Sequence, residues 1–124
     1  MSEFDGEAFV ARFNSVWDDH DLDGIVGMFT DDVVFEASFG SEPCGERAVG
    51  REAARALAAK IFARVPDLHF EGLRHYVTPE IAVVEAVTTG TPLGGQPYEA
   101  HLVDVLTLRD GKIATKRSYR KGQV

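Results

Sequence analysis

The chain has 124 residues and a formal net charge of -7, which is long enough for one domain with a core and too short for two domains of typical size. The acidic balance opposes nucleic-acid binding as the main role, and no apolar stretch is long enough to span a membrane. The N-terminal residues MSEFDGEAF lack the basic and apolar segments of a secretory signal, so the expected location is the cytoplasm. The single cysteine, Cys44, excludes a disulfide or a thiolate metal cluster within one chain.

Three helices and one strand are predicted in the first half of the chain. Apolar residues at helical spacing predict a long first helix from Gly6 to about Asp19, with the preceding aspartate as its cap. A short second helix is predicted after Asp21. The run VVFEASFG, at 33–40, is rich in β-branched and aromatic residues and predicts a strand. The third helix is predicted in GREAARALAAKIFARVP, where Pro66 ends it.

Strands dominate the second half of the chain. They are predicted at about 68–77, 81–89, 97–109 and 112–120, with turns at TPE, GTPLGG and RDG. Helices that come first and antiparallel strands that come later favour an α+β fold, in which a curved, mainly antiparallel sheet wraps around three helices. We expect residues 1–124 to form a single domain.

One acid lies inside an apolar run. In EAHLVDVLTLRDGKI, Asp104 is surrounded by leucine and valine. A carboxylate in such a run must have partners, change its protonation or face a cavity, because unpaired burial of its charge costs several kcal/mol or more. Asp104 is therefore the first candidate for a functional residue.

The order and spacing of three segments resemble a known superfamily. The segments ARFNSVWDDHDLDGIVGMFTDDVVFEA, GREAARAL and GGQPYEAHLVDVLTLRDGKIATKRSYR are similar to the nuclear-transport-factor-like proteins, above all to ketosteroid isomerases and SnoaL-like polyketide cyclases. The resemblance covers nearly the whole chain and implies a cone-shaped α+β barrel. It does not fix the function, because this fold carries isomerases, cyclases, epoxide hydrolases, dehydratases and noncatalytic proteins.

The resemblance assigns three catalytic positions, and one of them keeps its acid. The tyrosine that donates to the substrate oxyanion falls on Phe13, the carboxylate that moves the proton on Ala37, and the second carboxylate on Asp104. Phe13 cannot donate a hydrogen bond and Ala37 cannot accept a proton, so true steroid isomerisation is not expected. Glu36 points to the opposite face of its strand and replaces Ala37 only through a bulge or a register shift.

With Asp104 in the cavity, as the resemblance implies, alternation along the strand places Leu102 on the same side and His101, Val103 and Val105 on the other. The outer face is also apolar, and the resemblance implies a homodimer through it. The predicted apolar pocket, in which core and pocket wall merge, consists of Phe13, Trp17, Phe35, Ala37, Phe39, Leu57, Val84, Ala86 and Leu102.

The last strand leaves two interpretations open. The resemblance places Lys116, Ser118 and Arg120 in the pocket, whereas the apolar Ile113 and Tyr119 favour a solvated even face. The solvated interpretation has slightly more support for the two basic residues, since long basic side chains are rarely buried. If either reaches Asp104, the carboxylate is an ionised base or a structural pair; if neither does, a protonated Asp104 donates to a ligand carbonyl.

The leading hypothesis is a cofactor-free acid/base enzyme of the ketosteroid isomerase and polyketide cyclase group, with Asp104 as the catalytic residue. Its ligand is a small hydrophobic carbonyl compound or cyclic molecule. No HExxH, P-loop or GxGxxG pattern supports a metal or a nucleotide. The alternative is a noncatalytic homodimeric module that binds a small ligand or a partner. Loss of the tyrosine and of the first-strand carboxylate favours that alternative.

Overall fold

The structure, a computed structural model, describes residues 3–122. Helix α1 spans Gly6–Asp18, α2 spans Leu22–Gly27 and α3 spans Arg51–Arg64. Side-chain oxygens of the preceding Asp5 and Asp21 accept the backbone N–H groups that α1 and α2 leave free at their first turns. The three predicted helices are confirmed, and α3 ends where the residue before a proline loses access to the helical conformation.

Six strands follow the order β2-β1-β6-β5-β4-β3 in one sheet. Their bounds are β1 Phe29–Glu36, β2 Arg47–Val49, β3 His69–Val77, β4 Ile81–Gly90, β5 Tyr98–Arg109 and β6 Lys112–Arg120. Among the strand pairs of residues 3–122, only β1–β6 is parallel. The α+β prediction with a mainly antiparallel sheet is confirmed, although the sheet is open, with β2 and β3 as its edges, rather than a closed barrel.

Two strand predictions need correction. Strand β1 begins at Phe29, not at residue 33, because the exposed Asp31 and Asp32 interrupt its apolar pattern while its backbone continues in the sheet. It ends at Glu36, not at residue 40. Strand β2 was missed because it has three residues and only its central one, Ala48, is buried. It pairs with the end of β1 and forms one edge of the sheet.

The core lies where the helices pack against the sheet. Helix α1 contacts β3, and α3 contacts β1. Large side chains from the helices and from the sheet meet there, and Trp17 contacts the rings of Phe35, Phe62 and Phe70 at centroid distances of 5.7, 5.7 and 6.4 Å. Among residues 3–122, no helix is both long and apolar enough to cross a membrane.

Candidate active site

An apolar cavity of about 170 Å³ lies between the helices and the inner face of the sheet. It is of the size that holds a small aromatic molecule in a protein interior. The structure brings twelve of the predicted site residues to its wall: Phe13, Trp17, Phe35, Ala37, Phe39, Val84, Ala86, Leu102, Asp104, Lys116, Ser118 and Arg120.

Leu57 is the exception. It is buried in the core and does not line the cavity, which α3 reaches only with its last turn, at Ile61 and Arg64. The amphipathic pattern identified the correct face of the helix but not how far along it the cavity begins. The prediction also missed Thr88 and Tyr98, which extending the strand alternation from Ala86 and Leu102 would have found.

Asp104 forms a compact cluster with two residues of β6. Its Oδ1 atom accepts hydrogen bonds from Lys116 Nζ at 3.0 Å and from Ser118 Oγ at 2.5 Å. Lys116 Nζ also donates to Ser118 Oγ at 2.7 Å. The Lys116 and Asp104 side chains are only 5% and 9% exposed, so this is a buried ion pair that carries an additional hydroxyl donor.

The second carboxylate oxygen of Asp104 faces open space. Oδ2 makes no hydrogen bond within residues 3–122. No side-chain nitrogen or oxygen of these residues is both buried and without a partner. Oδ2 therefore borders the cavity, where it can accept a proton or a hydrogen bond from a ligand.

The Lys116 ammonium sits against aromatic rings. Nζ lies 4.4 Å from the ring centre of Trp17 and 4.5 Å from that of Phe35, distances at which the faces of both rings attract a cation. Burial lowers the pKa of Lys116 below its ordinary value, and the charge and hydrogen bond of Asp104 act in the opposite direction. The cluster thus holds a cation whose proton is less tightly bound than that of a surface lysine.

Strand register explains how the acid and the lysine meet. Asp104 lies opposite Ser118 and Leu106 lies opposite Lys116, so Asp104 and Lys116 are diagonal neighbours on one face. Near the turn, Thr107 pairs with Thr115 but Leu108 pairs with Ile113, which leaves residue 114 as a bulge.

The bulge reverses the alternation of β6. Ile113 and Lys116 are therefore both buried, although one position is odd and the other even. The solvated interpretation of Lys116 is wrong for this reason, and the first of the two arrangements, an Asp104 paired with a basic residue, is the observed one. Arg120 is exposed and lies at the rim of the cavity.

Two arginines hold positive charge at the mouth of the cavity. The guanidinium of Arg64 lies 5.5 Å from the ring centre of Phe39, and that of Arg120 lies 4.8 Å from that of Tyr98. Phe39 is held there by a tight loop whose backbone requires Gly45, with a φ of +78° and no room for a Cβ beside the Ala37 carbonyl. The mouth is therefore polar and positive, and the interior is apolar.

Phe13 and Ala37 line the cavity as buried apolar residues. Glu36 points away from it and binds Arg47 on the outside, at 2.6 Å. Asp104 is the one carboxylate among the described lining residues. No group of three or more potential metal-ligating side chains comes together within residues 3–122. The Asp104 cluster contributes one acid, one amine and one hydroxyl to this wall.

Comparison with known proteins gives a family and a fold. Residues 10–116 match the SnoaL-like domain family. No curated protein matches the chain at a significant level.

Several solved structures share the architecture. A protein with a ketosteroid isomerase-like fold from Catenulispora acidiphila, in complex with trimethylamine, has a TM-score of 0.80 at 19% identity, over 93% of this chain and 86% of that chain. IdmH, a proposed polyketide cyclase from Streptomyces antibioticus, has a TM-score of 0.73 at 20% identity, over 93% and 91%. A proposed SnoaL-like polyketide cyclase from a Jannaschia species has 0.77 at 24%, over 93% and 84%. At these identities the likeness shows a shared fold.

Proposed function

Because this chain belongs to the SnoaL-like domain family, we propose that it is a small-molecule enzyme of the isomerase and cyclase type. It acts without a cofactor on a hydrophobic carbonyl compound or cyclic molecule. Asp104 is the general base that removes a proton from carbon or oxygen of the ligand. The expected resemblance to the nuclear-transport-factor-like superfamily is confirmed by the family match and by the fold.

The observation that carries this proposal is that the two carboxylate oxygens of Asp104 have different surroundings. Lys116 and Ser118 hold Oδ1 through two hydrogen bonds, one of them from a cation. Oδ2 remains available to the ligand. A base needs a lone pair within hydrogen-bond reach of the proton that it removes, and Oδ2 is placed for a ligand in the cavity.

The cavity also supports the choice of ligand class. Its wall is mainly apolar, with the Asp104 cluster and the buried Thr88 among its polar groups, which suits a ring system. The rim guanidinium groups of Arg64 and Arg120 would meet a polar end of the ligand. True steroid isomerisation remains unexpected, since Phe13 does not supply the hydroxyl donor of that reaction and Ala37 does not supply the carboxylate that moves the proton.

The test is deuterium uptake into 2-tetralone, a bicyclic ketone with exchangeable protons beside its carbonyl, followed by NMR in D2O. We expect the protein to accelerate the exchange and Asp104→Asn to slow it by about 100-fold or more, the range lost with a general base. Asp23→Asn is the matched control, because it makes the same change in an exposed ion pair with Arg55. Equal rates for folded wild type and Asp104→Asn would contradict the base assignment.

A noncatalytic ligand-binding module is the second candidate. The apolar Phe13 and Ala37 on the cavity wall favour it, because they replace the tyrosine and the proton-moving carboxylate of the ketosteroid isomerases. If the protein is such a module, 2-tetralone quenches the fluorescence of Trp17, but the protein does not accelerate deuterium exchange in 2-tetralone.

The partner proposed for the outer face of the sheet is a second copy of the chain. Val83 lies opposite Val105, and Val103 lies opposite Tyr119. Tyr119 is 56% exposed, so this apolar patch is open to a partner. We expect Val105→Lys to convert a dimer into a folded monomer in sedimentation experiments, whereas Leu93→Lys, at an exposed leucine in the loop between β4 and β5, leaves the mass unchanged. A wild-type monomer would overturn this proposal.

A further inference from the structure

We propose that Lys116 is a nucleophile that forms an imine with aldehyde or ketone ligands in the cavity. The inference rests on the proposed use of the cavity for carbonyl compounds and adds a covalent step to it. A lysine desolvated on the wall of an apolar pocket is an arrangement in which an amine gains nucleophilicity, and the carboxylate beside Lys116 can accept the proton that the amine must lose. Nothing in the base assignment of Asp104 requires the amine to react.

The geometry gives the amine access and a nearby proton acceptor. Lys116 shares the cavity wall with its four contacts, which are Trp17, Phe35, Asp104 and Ser118. Two N–H groups of the ammonium are used by oxygen atoms. The third makes no hydrogen bond within residues 3–122, so a carbonyl carbon meets no competing oxygen on that side.

The charges around the amine come from three elements. Asp104 on β5 is in contact with it. The other charged groups on the described cavity wall are Arg64, on α3, and Arg120, further along β6, both at the mouth. Burial is the largest influence on the pKa of Lys116 and lowers it. At a pH below the pKa, each unit by which the pKa falls raises the neutral fraction of the amine about tenfold.

The reaction balances without a further reagent. Lys116 passes one proton to Asp104, its nitrogen attacks the carbonyl carbon, and the C=O π bond becomes an alkoxide. The alkoxide takes up protons from the nitrogen and from Asp104 and leaves as water, so that an ammonium and a carbonyl become a protonated imine and one water. The positive charge stays beside Asp104, which is ionised again. Asp104 can then remove a proton from the carbon next to the imine.

The experiment uses the intact protein with benzaldehyde and sodium cyanoborohydride, which reduces a protonated imine to a stable amine. Benzaldehyde has no hydrogen on the carbon beside its carbonyl, so the result is independent of the base activity of Asp104. Peptide mapping by mass spectrometry locates the adduct. At about pH 7, we expect the modified fraction of Lys116 to exceed that of the exposed Lys60, Lys112 and Lys121 by about tenfold or more.

The inference would be overturned if the three exposed lysines form adducts and Lys116 stays unmodified, both with benzaldehyde and with the smaller propionaldehyde. Lys116→Arg is the matched variant, because it keeps a cation beside Asp104 but cannot form an imine. It should lose the cavity adduct while the surface lysines react as before. If the protein accelerates deuterium exchange in 2-tetralone but forms no adduct at Lys116, only the imine proposal is contradicted. If an adduct forms without exchange, only the assignment of Asp104 as the base is contradicted.

Discussion

Two of the ion pairs made by strands β5 and β6 lie in very different surroundings. In the middle of the hairpin, Lys116 and Asp104 are 5% and 9% exposed and lie on the cavity wall. At the turn, Arg109 binds Asp32 of β1, and these side chains are 54% and 68% exposed. Both pairs bring a cation of the hairpin to a carboxylate, so they differ mainly in their access to water.

That difference separates a functional arrangement from a surface contact. Water already stabilises the charges of the exposed pair, so the pair adds little. The buried pair has given up its hydration, and either charge left alone would be costly. Retaining such a pair at the end of an apolar cavity makes sense when the groups act on a ligand, and buried ionisable groups in clefts are candidates for functional sites for this reason.

The largest effect should come from removing the acid of the buried pair. Asp104→Leu leaves the Lys116 ammonium buried without its counter-charge, and we expect a loss of about 3 to 5 kcal/mol in the free energy of unfolding. Urea unfolding measures it. Asp32→Leu makes the same change at the exposed pair and should have a much smaller effect. Equal losses at the two positions would show that burial does not distinguish the pairs.

Removing both charges of the buried pair should restore much of that stability. Asp104→Leu combined with Lys116→Met leaves no buried charge, and such replacements are often neutral or stabilising by about 1 to 4 kcal/mol. We therefore expect the double variant to unfold at higher urea than Asp104→Leu alone, while deuterium exchange in 2-tetralone is lost. Strictly additive losses would mean that the two side chains do not interact in the folded protein.

The third prediction concerns alkaline pH. Burial lowers the pKa of Lys116 in the folded protein below 10.5, so between the two values the unfolded chain binds more protons than the folded one. Stability then rises with pH across that window. We expect wild type to gain stability over the double variant, which lacks both charges of the buried pair, as pH increases towards 10.5, because carboxylates are already ionised there. A constant difference in unfolding free energy across the window would contradict the lowered pKa.

Only one half of the buried pair, Asp104, could be placed from the sequence. Alternation along β5 correctly separated Asp104 and Leu102 from the outward-facing His101, because that strand keeps a regular pleat through these positions. The resemblance and the apolar run placed the acid on the cavity side. The partner of that acid did not follow from either.

Lys116 was misplaced because a bulge is not visible in an apolar pattern. Ile113 and Tyr119 follow one alternation only if β6 is regular, whereas the extra residue between Ile113 and Thr115 changes which positions face inward. The long basic side chain then reaches a buried carboxylate, which offsets the usual preference of lysine for water. Leu57 shows a similar limit, since helix periodicity gives a face but not the depth of a cavity along it.

The smallest effect should come from the exposed pair, where the pKa of Asp32 is lowered mainly by the hydrogen bond from Arg109 and then by the Thr30 hydroxyl. A carboxyl with a lowered pKa contributes stability above its unfolded value of 3.8, and that contribution disappears as pH falls through the folded value. Asp32→Asn should therefore lower the urea midpoint slightly at neutral pH and not in acid.

Salt gives the sharper test of this pair. At about 1 M salt the screening length falls to about 3 Å, so the effect of Asp32→Asn should shrink towards zero in urea unfolding at neutral pH. The effect of Asp104→Leu should persist, because the protein itself screens the buried pair from mobile ions. If salt abolished both effects, the Asp104 cluster would be open to bulk solvent, and a carboxylate so exposed would lose the apolar surroundings on which its proposed chemistry depends.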